Sequence, residues 1–188
     1  MQSTRPRCLA LLVLGLLCST VWSNDDARWS GWCSYAAAPG ETFPAPRLNL
    51  PGWVCVQASQ LKLHETYRLR TTLNPFYLAG DFNADGRQDL AVWVESIKSQ
   101  KVGILIIHGG ITAITVIGAG VNWDRRGQDY SWTDMWSIEP KGTTFQSPLE
   151  GDRKVVLKGD ALVLMRSESA AFAVHWSGTK YRSYQLSD

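Results

Sequence analysis

The chain has 188 residues, 45% of them hydrophobic and 19% charged, with 19 Lys plus Arg against 17 Asp plus Glu. That near balance gives no general field for drawing in nucleic-acid phosphates or anionic lipid, so neither is expected as a partner. Beyond an N-terminal apolar run, no stretch reaches the ~20 apolar residues of a membrane-spanning helix, so no integral membrane segment is expected.

Arg5 and Arg7 precede that apolar run at 9–17, and small residues follow as far as Ser23. This order predicts a secretory signal peptide over residues 1–23 and a periplasmic or secreted protein. Loss of the leader would remove Arg5 and Arg7 and no acid, leaving 17 basic residues against 17 acidic ones. It would also remove Cys8 and Cys18, so Cys33 and Cys55 are left as an even pair, expected to form a disulfide.

Residues 24–51 carry Pro39-Gly40, Pro44, Pro46 and Pro51 without sustained periodicity, and read as an irregular N-terminal arm. From 52 to 188 the pattern changes to short runs rich in Val, Ile, Thr and aromatic residues, closed by Gly, Asn, Asp or Ser. Strands are predicted at 53–57, 67–72, 76–79, 90–97, 102–108, 111–117, 135–139, 154–158, 161–166, 171–176 and 181–186. Hairpin turns are expected at 98–101, at Gly109-Gly110, at Gly159-Asp160 and at 177–180. The best helical candidate is 58–70. The expectation is an all-β single domain, an antiparallel hairpin meander that is compact and propeller-like or sandwich-like.

The segment from Asp81 to Asp89 places oxygen-bearing side chains at alternate positions. Asp81, Asn83, Asp85 and Asp89 can offer side-chain oxygens and Arg87 its carbonyl, while Gly86 permits a sharp turn. Such a set suits calcium, and three carboxylates within nine residues repel one another without a cation. Val92 stands where a calcium hand of the helix-loop-helix type keeps its bidentate Glu, so an EF-hand is excluded.

The stretch Leu78-Ala79-Gly80-Asp81-Phe82-Asn83-Ala84-Asp85-Gly86-Arg87-Gln88-Asp89-Leu90-Ala91-Val92 resembles one FG-GAP or VCBS-type repeat. The resemblance implies a structural calcium held in the turn between two strands of a propeller-like blade. It covers a single copy, whereas a whole propeller needs at least four blades of ~40 residues each, so the site is carried over and the propeller is not.

Two further features bear on partners. Ser177-Gly178-Thr179-Lys180-Tyr181 resembles the S-G-x-x-Y loop of periplasmic lysozyme inhibitors, which inserts into the enzyme cleft. The resemblance implies partner contacts at Ser177, Gly178 and Lys180, with Tyr181 bracing the turn. Calcium-binding propeller-like domains also resemble periplasmic immunity proteins that neutralise peptidoglycan hydrolases. The expected function is therefore a calcium-stabilised inhibitor or immunity-type protein directed at a lysozyme-like cell-wall hydrolase. Trp123, Trp132 and Trp136 give the alternative, an aromatic face for glycan or cell-surface binding, although a strand could equally turn Trp132 and Trp136 into the core.

Enzyme activity is not expected. There is no G-x-S-x-G elbow, no H-E-x-x-H and no phosphate-cradling glycine loop, and His64, His108 and His175 stand apart in the sequence. A glycosidase carboxylate pair assembled in space is the one enzymatic reading left open.

Overall fold

The computed structural model describes residues 30–33, 50–151 and 153–188. The expected signal peptide and nearly all of the expected arm lie outside these residues. Three helices come first: α1 (Ser30–Cys33), α2 (Gly52–Gln60) and α3 (Leu63–Thr66). Eleven strands follow: β1 (Tyr67–Leu69), β2 (Tyr77–Gly80), β3 (Asp89–Ser96), β4 (Val102–Ile107), β5 (Ile114–Gly118), β6 (Met135–Glu139), β7 (Thr144–Gln146), β8 (Lys154–Val156), β9 (Ala161–Met165), β10 (Ala171–Trp176) and β11 (Tyr181–Ser187).

All the pairings are antiparallel, and they make a sandwich. In the first sheet β1 and β2 lie one after the other along β3, β3 pairs with β4 and β4 with β5; the second sheet runs β11-β10-β9-β6. Between the sheets pack Ala91, Trp93, Ile104 and Ile106 from the first and Trp136, Leu162, Leu164, Phe172 and Val174 from the second. Trp93 and Trp136 meet edge to face across this core at 5.7 Å.

Each sheet is also covered on its outer face, which explains the unbroken apolar runs of β3 and β4. Leu90, Val92, Val94, Leu105 and Ile107 face a helical layer carrying Trp32, Val54, Ala58 and Leu63. The outer face of the second sheet packs Ala161, Val163, Ala173 and Tyr184 against Phe145 and Leu157, from the separate β7-β8 ribbon and the residue that follows it. The Cys33–Cys55 disulfide, with Cα atoms 5.7 Å apart, ties α1 to α2. A bond closing a 22-residue separation stabilises by about 3 kcal/mol in the chain-entropy model, and such bonds persist in oxidising compartments. Among the described residues no helix is long and apolar enough to cross a membrane.

Three expectations are corrected. Residues 53–57 are helical: β-branched Val54 and Val56 suggested a strand, but Val54, Gln57 and Ala58 are buried at helical spacing behind Pro51. The helical stretch expected at 58–70 starts earlier and breaks at Lys62, whose φ is +50°. Gly159-Asp160 does not close a hairpin, because β8 pairs with β7 while β9 pairs with β6 and β10. Strand β7 escaped notice because only Phe145 of its three residues turns inward.

Candidate functional site

The acidic loop lies between antiparallel β2 and β3, the strand–loop–strand setting expected for it. Its carboxylates fold back onto its own amides. Asp81 Oδ1 and Asn83 Oδ1 both accept from the Asp85 amide at 3.0 Å, and Asp81 Oδ2 accepts from the Gly86 amide at 3.0 Å. The Arg87 amide donates to Asp85 Oδ1 at 2.8 Å. Gly86 turns the chain at φ +82°.

Asp89 behaves differently from the other two acids. Its side chain is wholly buried, with Oδ2 accepting from the Phe82 and Asn83 amides at 3.1 and 3.3 Å and Oδ1 from the Gly109 amide at 2.9 Å. A buried carboxylate is tolerable when several donors hold its charge, and here they join one end of the loop to the β4-β5 turn. Asp160 clamps the loop's other end: its amide donates to Asp81 O at 2.8 Å and its Oδ2 accepts from the Asp81 amide at 2.9 Å. Sequence reasoning missed Asp160, and its Gly-Asp setting suggested only a turn.

The donor chemistry of Asp81, Asn83 and Asp85 fits a hard cation such as calcium, because all three place oxygens on one exposed loop. Asp89 is not a free ligand alongside them. Among the described residues no three His, Cys, Asp or Glu side chains converge closely enough to hold an ion by themselves. A calcium sphere here would therefore draw on Asn83, backbone carbonyl and water for its remaining oxygens.

His108 links this loop to the second sheet. Its Nδ1 lies 3.3 Å from Asp89 Oδ1 and 3.4 Å from Asn83 Nδ2, and its Nε2 lies 3.1 Å from Thr115 Oγ1. The ring stacks on Tyr181 at 6.0 Å, and Tyr181 in turn meets Trp176 edge-on at 5.0 Å. The Tyr181 hydroxyl is buried without a hydrogen-bond partner among the described residues. Burial first, and then Asp89, Asp81 and Asp85, push its pKa well above that of an ordinary tyrosine.

From this anchored base rises the β10-β11 hairpin. Ser177 closes its tip: the Ser177 amide donates to Lys180 O at 2.9 Å, its hydroxyl donates to the same oxygen at 2.7 Å, and the Lys180 amide donates back to Oγ at 3.2 Å. Gly178, Thr179 and Lys180 are exposed. Gly178 holds φ at +104°, and a Cβ there would lie 2.6 Å from Lys158 Nζ, so a second ammonium sits against the tip.

The three tryptophans do not share a face. Trp136 is 2% exposed in the core and donates its indole N–H to Pro75 O at 2.7 Å. Trp132 is half-buried against Tyr130 and Phe172. A flat platform of Trp123, Trp132 and Trp136 is thus replaced by internal packing, with Trp136 in the core between the sheets and Trp132 packed against it. Trp123 borders a cleft of ≈ 420 Å3, which it lines with Asp124, Trp176, Lys180, Tyr181 and Arg182. Comparison with protein-family models, with curated proteins and with solved structures found no match.

Proposed function

We propose that the chain is an exported binding protein that blocks a lysozyme-like cell-wall hydrolase, with the Ser177, Gly178, Thr179 and Lys180 tip as the inserted element. One observation carries this reading: the tip is closed by three hydrogen bonds on Ser177, yet it presents Thr179, Lys180 and the neighbouring Lys158 to solvent. A pre-closed turn loses little freedom on binding, which favours tight inhibition. Glycosidic hydrolases work with a pair of carboxylates, so two ammonium groups beside hydroxyl donors are a chemical complement to that pair.

Tyr181 braces the turn through its ring contacts with His108 and Trp176. Through His108 it rests on Asp89, so the acidic loop and the hairpin act as one rigid block. Calcium on the acidic loop has a structural role in this reading, fixing that block. The disulfide supports a destination outside the reducing cytoplasm, in the periplasm or beyond the cell.

The test is co-elution and calorimetry of the purified protein with a panel of lysozyme-type and other peptidoglycan hydrolases. A one-to-one complex with a member of the panel, dissolved by a soluble substrate analogue in that enzyme's cleft, is the expected outcome. A complex indifferent to the occupied cleft would contradict insertion.

A further inference from the structure

We propose that the groove running from Trp123 past Asp124 to Arg153 is a second site, one that binds an acidic saccharide. Arg125, Arg126, Arg153 and Arg182 line one cleft of ≈ 620 Å3 together with Asp124 and Glu150, within the usual size range of small-ligand sites. Four cations face two anions there, in a protein whose charges otherwise nearly cancel.

The two acids already have structural work. Asp124 Oδ2 accepts from the Ser183 amide at 2.6 Å and Glu150 Oε1 from the Gln185 amide at 2.8 Å, so both cap the otherwise open edge of β11. Asp124 also holds Arg182 at 3.0 Å, and Glu150 holds Arg153 at 3.2 Å. The surplus charge therefore stays with the arginines. Arg125 is exposed, stands at φ +63° and pairs with no carboxylate among the described residues.

Two of the guanidinium groups are held in place before any ligand arrives. Arg126 lies over the Phe172 ring at 5.4 Å and hydrogen-bonds Ser183 and Gln185, and Arg153 lies over Tyr184 at 4.9 Å. Fixed guanidinium forks suit carboxylates, which they can grip with two parallel hydrogen bonds.

The neighbouring aromatic cleft decides the class of ligand. It shares Asp124 and Arg182 with the arginine cleft and adds Trp123 and Trp176, so cationic and aromatic walls are continuous. An acidic peptide would engage the arginines and leave the indoles idle. A sugar carrying a carboxylate uses both, its apolar ring face on tryptophan and its charge on arginine. The proposal does not depend on hydrolase inhibition, since the groove can be filled with no enzyme present.

The experiment titrates the purified protein with trigalacturonate, neutral galactotriose, triglutamate and inorganic phosphate, following tryptophan fluorescence and heat. Trigalacturonate is expected to bind saturably and change the fluorescence, with galactotriose and triglutamate each at least tenfold weaker. Arg125→Glu should weaken trigalacturonate tenfold or more, and Trp123→Ala should do the same while abolishing part of the fluorescence change. Arg125→Gln serves where the reversal disturbs folding, checked by circular dichroism. Absence of saturable trigalacturonate binding, equal affinity for triglutamate or phosphate, or an unchanged affinity in the Arg125 variants would overturn the proposal.

Discussion

Asp89 Oδ1 accepts the Gly109 amide at 2.9 Å, a bond between residues 20 apart in sequence that fastens the acidic loop to the β4-β5 turn inside the protein. With the Phe82 and Asn83 amides on the other oxygen, this carboxylate satisfies three backbone donors. Asp89→Ala would leave them without an acceptor and is expected to destabilise by about 3 kcal/mol or more, read in urea melts. Gly109→Ala should act in the same direction, because its Cβ would collide with the Gln88 carbonyl oxygen. If Asp89→Ala were as stable as the parent, the carboxylate would not be the fastening.

Calcium on Asp81, Asn83 and Asp85 would bind the native loop alone. At a hundredfold excess over its dissociation constant it adds about 2.7 kcal/mol, which for a chain of this length raises Tm by about 5–10 °C. Melting with excess chelator and then with added calcium measures this, and Asp81→Asn should reduce the difference. A midpoint indifferent to calcium would leave the loop to its amide bonds.

Acid should unfold the protein in two stages. Burial lowers the pKa of His175, so the folded state resists its protonation while the unfolded chain accepts a proton below about pH 6.5. That contribution is present above pH 6.5 and is lost as pH falls through the folded value. Asp124 and Asp129 add a second stage. Burial alone would raise both, but the Ser183 amide and hydroxyl with Arg182 outweigh it at Asp124, and the Val102 and Ser131 amides do so at Asp129. Their contribution is present above about pH 4 and is lost below it. Melting against pH should show both stages, and His175→Phe should remove the first.

Tyr181 should tolerate loss of its hydroxyl and not of its ring. The hydroxyl has no hydrogen-bond partner among the described residues, so Tyr181→Phe is expected to leave Tm unchanged or slightly raised. Tyr181→Ala removes the contacts with His108 and Trp176 and should cost about 3–5 kcal/mol. A Tyr181→Phe variant that melted like Tyr181→Ala would mean the oxygen carries the brace.

Much of the sandwich was readable because strands buried on both faces, such as β3 and β4, leave continuous apolar runs that few other elements produce. The β10-β11 hairpin was readable from Ser177 and Gly178 between two aromatic strands. The helix α2 was not, because Val54 and Val56 favour extended backbone locally, and only packing under the first sheet makes the helix the better solution. Asp81, Asn83 and Asp85 announced a loop through their spacing, yet nothing local marks Asp89 as buried or Asp160 as its distant counterpart, since both depend on contacts between strands. Trp132 and Trp136 illustrate the same limit: a tryptophan beside a polar loop reads alike whether its ring faces water or the core.

Inhibition as proposed requires that the exposed hairpin tip enter a hydrolase cleft. The most direct measurement is the rate at which a lysozyme-type enzyme clears purified sacculi, titrated with parent protein and with a Thr179→Ala, Lys180→Glu variant that keeps Ser177 and the turn. The parent is expected to suppress clearing at stoichiometric concentration, and the variant, equally stable in melting, to need at least tenfold more. Equal suppression by both proteins would contradict it, as would unimpeded clearing by every enzyme of the panel in the presence of the parent.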